Sequence, residues 1–240
     1  MLIIPAIDLK DGCVVRLTQG SFKDKKIYSR DAVKTARHWL RQGAELIHVV
    51  DLDGAVTGVP KNLEIVKKIA QETSAVLEFG GGVRKIETIK TLLDYGVSRV
   101  VLGTKAIEDS AFLKEAFKKF KHKIIVSIDA RDGQVLVKGW QEKGGKLQAT
   151  ALAKQLKGLG FKKVIYTDIA KDGTLKGPNI KGIKTLLKET GLEVIASGGV
   201  SSLDDLRKLK ALEKDGVTGV IVGKALYEGR FTLTQALKLS

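Results

Sequence analysis

Ile3-Ile4-Pro5-Ala6-Ile7-Asp8-Leu9-Lys10-Asp11-Gly12 stands near the start of the chain, and Ile124-Ile125-Val126-Ser127-Ile128-Asp129-Ala130-Arg131-Asp132-Gly133 stands at its midpoint. Each is an apolar run that ends in an aspartate and passes into a charged turn. Further matches follow in the same order. Gly43 to Asp51 (Gly-Ala-Glu-Leu-Ile-His-Val-Val-Asp) parallels Gly160 to Asp168 (Gly-Phe-Lys-Lys-Val-Ile-Tyr-Thr-Asp). Gly81-Gly82-Val83 parallels Gly198-Gly199-Val200, and Val101-Leu102-Gly103-Thr104-Lys105-Ala106 parallels Ile221-Val222-Gly223-Lys224-Ala225. The offset between partners is nearly constant. One domain spanning 1–240 is expected, made of two similar halves of approximately 1–120 and 121–240.

Apolar, β-branched runs near 2–8, 45–51, 75–79, 99–103, 123–129, 162–168, 193–197 and 218–222 alternate with amphipathic stretches. The latter lie near 31–42, 61–72, 85–94, 109–119, 149–159, 179–189, 202–211 and 232–238. Strands alternating with helices predict a parallel sheet covered by helices. Near-continuous apolar strands are what a sheet buried on both faces requires. Eight such units close a barrel, so the expected fold is α/β: a single TIM (β/α)8 barrel built from two (βα)4 half-barrels.

Composition narrows the function classes. A hydrophobic content of 43% supports a sizeable core. A single cysteine, Cys13, excludes an internal disulfide framework and suits a reducing compartment, so a cytoplasmic protein is expected. The N-terminal apolar run is interrupted by Pro5 and Asp8 and does not read as a signal peptide, and no run is long enough to span a bilayer. The net charge of +15 raises the question of nucleic acid. The lysines are, however, dispersed over helix patterns (Lys67, Lys68, Lys118, Lys119, Lys184, Lys188), and aromatics make up only 5%. Solvated helix faces are the expectation, with no nucleic-acid or membrane partner, and the surplus charge can gather an anionic substrate.

In such barrels the site is built at the C-terminal ends of the strands. If Asp8 and Asp129 point inward there, alternation turns Ala6 and Ser127 inward and Ile7 and Ile128 toward the helices. One strand-tip aspartate reads as a loop cap or a partner of Lys10 or Arg131. Two at matching positions read as a pair for general acid and base work. Phe79-Gly80-Gly81-Gly82-Val83-Arg84 with Gly103-Thr104, and Ser197-Gly198-Gly199-Val200-Ser201 with Gly223-Lys224, make two glycine pairs at opposite sides. Each pair can bring backbone N–H groups and a short helix N-terminus to a phosphate. The expected ligand is therefore a long small molecule with a phosphate at each end.

Arg16, His48, Asp51, Arg84, Thr167, Asp168 and Asp172 are further polar residues at strand ends. His48 reads equally as a buried, hydrogen-bonded core histidine, and Asp51 and Asp168 as loop-orienting groups. Trp140, in the loop 130–148, packs under that loop or stacks on a planar ligand. His38 and His122 read as surface residues. No cluster has metal-ligand spacing, no Ser/His pair suggests a nucleophile, and neither a Walker loop nor a dinucleotide GxGxxG is present.

The motifs Pro5-Ala6-Ile7-Asp8, His48 to Ala55, Gly80-Gly81-Gly82-Val83-Arg84, Gly139-Trp140, Thr167 to Thr174, Ser197-Gly198-Gly199-Val200 and Val222 to Leu226 span the chain. Together they resemble the phosphoribosylformimino-5-aminoimidazole carboxamide ribotide (ProFAR) isomerases of histidine biosynthesis. The resemblance implies a cofactor-free, metal-free Amadori rearrangement of a bisphosphorylated aminoaldose to an aminoketose, with Asp129 as general acid and Asp8 as general base. It implies that Gly82, Gly103 and Thr104 hold one phosphate and Gly199, Gly223 and Lys224 the other. Arg16, His48, Arg84, Trp140, Thr167 and Asp172 match substrate-contacting or loop positions, and a monomer is expected.

Two similar groups stand beside it. The paralogous cyclase of the same pathway shares the repeat and both aspartates; Ala6, Gly103-Thr104-Lys105 and the Gly139-Trp140 loop speak against it. Bifunctional isomerases that also take phosphoribosylanthranilate carry an arginine where this chain has Lys138. A non-catalytic anion- or nucleic-acid-binding barrel would leave both aspartates without a role.

Overall fold

A computed structural model of the chain describes residues 1–19, 21–137, 140 and 142–239, with the backbone alone at 18, 21–24 and 142–146. Lys138 and Gly139 lie outside the described residues.

Eight parallel strands form the barrel: β1 (Leu2–Lys10), β2 (Ile47–Asp51), β3 (Leu77–Gly80), β4 (Arg99–Leu102), β5 (Ile124–Arg131), β6 (Lys163–Asp168), β7 (Glu193–Ser197) and β8 (Val217–Val222). Each pairs with its sequence neighbours and β8 pairs with β1, so no edge is left open. The eight enclosing helices are α1 (Ala32–Arg41), α2 (Leu63–Glu72), α3 (Ile86–Asp94), α4 (Ser110–Phe120), α5 (Ala149–Gly158), α6 (Ile180–Thr190), α7 (Leu203–Lys210) and α8 (Leu233–Leu237). Local chemistry sets their ends. Asp31 accepts from Lys34 N at α1, Asn179 from Gly182 N at α6, and Thr232 with Gln235 closes a capping box at α8.

The strand alternation sorts two apolar layers. Ile3, Ile7 and Leu9 of β1 face the helices and are fully buried. Ile4, Ala6, Leu46, Val101, Ile125, Ile165, Ile195 and Ile221 fill the barrel interior. Burying each large side chain stabilises the fold by roughly 1.5–3 kcal/mol. The halves repeat down to register. Val100 and Val101 lie opposite Ile124 and Ile125 at the β4–β5 seam, as Val220 and Ile221 lie opposite Ile3 and Ile4 at the β8–β1 seam.

The segments after β1 and β5 carry antiparallel ribbons, one of them within the expected loop 130–148. They comprise Cys13–Thr18 with Ser21–Ser29, and Gln134–Val137 with Glu142–Gln148. Asp11-Gly12 and Asp132-Gly133 turn the chain, all four with positive φ (51°, 74°, 52° and 78°). This is the type I′ geometry that matches strand twist and favours Asp-Gly. Both ribbons stand over the C-terminal rim.

Candidate active site

The expected alternation holds: Ala6 is inside the barrel, and Ile7 and Ile128 pack outward. Asp8 and Asp129 therefore reach the cavity at the strand tips. Asp8 does not pair with Lys10, whose ammonium meets Asp53 at 2.8 Å. Its partner is Arg16 from the first ribbon, at 2.7 Å, and the same guanidinium donates to Ala6 O. Burial opposes the charge of Arg16, but Asp8, Tyr227 and Asp172 more than offset this and hold its pKa above the ordinary value. Asp129 accepts from Ser127 Oγ and from the Trp140 indole N–H, each at 2.7 Å. Trp140 is thus tied to a strand-tip carboxylate, in a backbone conformation of positive φ (70°).

Asp172 closes the group from the loop after β6. Burial pushes its carboxyl up to about 7, with the negative charges of Asp8 and Asp129 adding to the effect and Arg16 and Lys224 opposing it. The first ribbon reaches over to this loop, where Gln19 N donates to Asp172 O at 3.0 Å. Thr167 lies on β6 directly beside Asp129 in the ladder.

The glycine pairs occupy opposite walls, and the structure supplies the reason for glycine. Gly82 and Gly199 both have positive φ (74° and 88°). A Cβ on Gly82 would lie 2.6 Å from Gly54 O, and one on Gly199 would lie 2.4 Å from Gly177 O. The tight turn demands glycine by itself, and the same turn leaves backbone on the cavity wall. Gly223 differs: a Cβ there would meet the Arg16 guanidinium at 2.5 Å, whereas one on Gly103 would meet nothing within 4 Å. Thr104 and Lys224 start the short helices Thr104–Glu108 and Lys224–Tyr227, and Lys224 Nζ donates to Gly173 O at 2.8 Å.

Fourteen residues were expected at the site from sequence. Asp8, Asp129, Arg16, His48, Gly82, Arg84, Gly103, Thr104, Trp140, Thr167, Asp172, Gly199, Gly223 and Lys224 all line one cavity at the C-terminal rim. His48 is buried and bonded to Glu78, and it also forms part of the cavity wall. Asp51 and Asp168 sit behind the site and organise the loops. Asp51 accepts from Gly54 N, Lys61 N, Asn62 N and Asn62 Nδ2, and Asp168 from Lys171 N and Asn179 Nδ2. Sequence reasoning missed Glu78 and Arg99 and the bond from Ser127. A charged residue inside the apolar run Leu77-Glu78-Phe79 was the available signal. Among the described residues, no three His, Cys, Asp or Glu side chains are grouped as a metal ion would need.

The model of the histidine biosynthesis protein family matches residues 2–232. The chain belongs to that family. Members of the histidine biosynthesis protein family to which it is similar include the 1-(5-phosphoribosyl)-5-((5-phosphoribosylamino)methylideneamino)imidazole-4-carboxamide isomerase of Citrifermentans bemidjiense. That protein is 48% identical over 240 residues, covering 100% of this chain and 98% of the relative. Proteins with the same name from Moorella thermoacetica (45% identical, 100% and 98% covered) and Acetivibrio thermocellus (46% identical, both fully covered) also match. The similarity runs through both half-barrels.

Proposed function

We propose that this chain catalyses the reaction for which those relatives are named, the Amadori rearrangement of ProFAR to its phosphoribulosyl isomer in histidine biosynthesis. The observation that carries the reading is one cavity walled by two glycine cradles with three carboxyl groups between them. A ligand with phosphates at both ends spans the cradles, and its reacting ribose lies among Asp8, Asp129 and Asp172.

In this reading a carboxylic acid protonates the ribose ring oxygen, the C1–O bond breaks, and the nitrogen lone pair forms the Schiff base. A carboxylate then removes the C2 proton, giving an enolamine, and protonation at C1 with loss of the hydroxyl proton yields the ketone. Asp8, paired with Arg16, is the base. The proton donor is assigned to Asp172 rather than to Asp129. Its half-buried place beside Asp8 and Asp129 pushes its carboxyl up to about 7, which suits a proton donor near neutral pH, while both Asp129 oxygens accept hydrogen bonds. Asp129 instead holds Trp140 over the site. The reaction needs neither cofactor nor metal in this scheme, and the scarcity of cysteine suits a cytoplasmic setting.

The test is turnover of ProFAR by the purified chain with and without EDTA. Equal rates are expected, and no turnover, or strict dependence on a metal, would sink the proposal. Asp8→Asn should lower kcat by about 10²–10⁴-fold with the circular dichroism spectrum unchanged. A parallel assay on phosphoribosylanthranilate tests whether the specificity is wider.

A further inference from the structure

One charged cluster in the barrel interior is absent from the scheme above. Glu78 on β3 is fully buried, at 0% exposure. Its Oε1 lies 2.7 Å from His48 Nδ1, and its Oε2 accepts from Arg99 Nε at 2.9 Å and from the same guanidinium's terminal nitrogen at 2.5 Å. The three residues are neighbours in the ladder across β2, β3 and β4. Burial would push the Glu78 carboxyl up, but the hydrogen bond from His48 and the charge and bonds of Arg99 outweigh burial and hold it below the ordinary range.

Such a cluster is not needed to build the barrel. The repeat places Ile165, Ile195 and Gly219 at the corresponding positions of the second half, where the interior is apolar and fully packed. A buried ion pair is weak support for stability, since a well-packed apolar replacement often serves as well or better. The asymmetry therefore points to function. A carboxylate at Nδ1 requires that nitrogen to carry its hydrogen. The His48 ring also forms part of the cavity wall, and its Nε2 is not among the buried polar atoms left without a partner. With Nδ1 taken up by Glu78, Nε2 is the ring nitrogen left to meet a ligand in that cavity.

We propose that Glu78 is a positioning residue for the isomerase reaction, holding the His48 imidazole in the Nδ1–H tautomer so that Nε2 meets the substrate, with Arg99 as its fixed countercharge. The substrate part of this inference rests on the isomerase reading. Removing Glu78 alone would strand Arg99, so the informative variant is the double change Glu78→Ile with Arg99→Leu, which gives the first half an apolar interior like that of the second. Its thermal midpoint should stay near that of the unmodified chain, while KM for ProFAR rises about tenfold or more. Nitrogen-15 spectra of the three histidines, assigned with His48→Gln, should show Nδ1–H at His48 in the unmodified chain and lose that pattern in the double variant. Glu78→Gln made together with Arg99→Leu, in which the amide oxygen still accepts from Nδ1, should recover part of the affinity, and it is the variant to read if the fully apolar one does not fold. An unchanged KM in a folded variant, or an Nε2–H tautomer at His48 in the unmodified chain, overturns the role of Glu78. If the unmodified chain itself fails to turn over ProFAR, the isomerase reading falls and takes the substrate part with it, and the tautomer spectra then judge the Glu78–His48 pair by themselves.

Discussion

Arg16 and Val137 hold equivalent places in the two ribbons, and the difference between them divides two aspartates that the repeat presents alike. Asp8 gains a buried guanidinium, whereas Asp129 meets Ser127 and Trp140. The pair itself was legible in the sequence because duplication printed it twice. Which carboxyl holds a proton was not, because the environment of Asp172 is assembled from β1, β5, the first ribbon and the start of the Lys224–Tyr227 helix. If Asp172 is the acid, kcat/KM falls as pH rises through about 7, where that carboxyl ionises in the free enzyme. Asp172→Asn should lower kcat by about 10²–10⁴-fold and abolish this limb. A pH profile that keeps the limb in the Asn variant would return the acid to Asp129. The same group gives a stability signature of opposite sense to that of an ordinary paired acid. Its folded pKa is raised, so the folded chain keeps a proton that the unfolded chain loses above about pH 4. Stability contributed by this group therefore declines as pH rises from about 4 to about 7. Unfolding by urea across that window should show a shallower decline in the Asn variant.

At the scale of elements, the strand and helix runs were readable from period and composition alone, because every barrel strand is buried on both faces. The ribbons over the rim were not. Their outer strands, Ser21–Ser29 and Glu142–Gln148, are rich in lysine and hold no apolar run, and only the repeated Asp-Gly turns marked them. The turn that makes the first glycine pair also leans on the loop before it, since a Cβ on Gly81 or Gly82 would meet the backbone of Asp51 or Gly54. Asp51, fully buried, takes four hydrogen bonds from the loop that follows β2 and so supports the wall carrying Gly81 and Gly82. Asp51→Ala strands those donors and should cost about 3 kcal/mol or more in urea unfolding. Asp168, with fewer donors, should cost less when replaced in the same way.

For the whole molecule, closure leaves no open edge among the eight barrel strands, and the groups of the proposed site line one cavity at the rim. The order of the halves along the polypeptide is then incidental to the barrel. Since the β4–β5 and β8–β1 seams share one register, the loop at 121–123 and the gap between the last helix and β1 are interchangeable joints. A circular permutant that begins at Lys123 and links Ser240 to Met1 by a short glycine-serine bridge should fold to the same circular dichroism spectrum. It gives up the ion pair between the terminal amine and Glu213, whose carboxylate is solvent-exposed, so little stability is lost. It should also retain most of its turnover. Failure to fold would mean that the first half must be synthesised ahead of the second, so that the direction of translation, and not only the symmetry of the seams, matters to how the ring is closed.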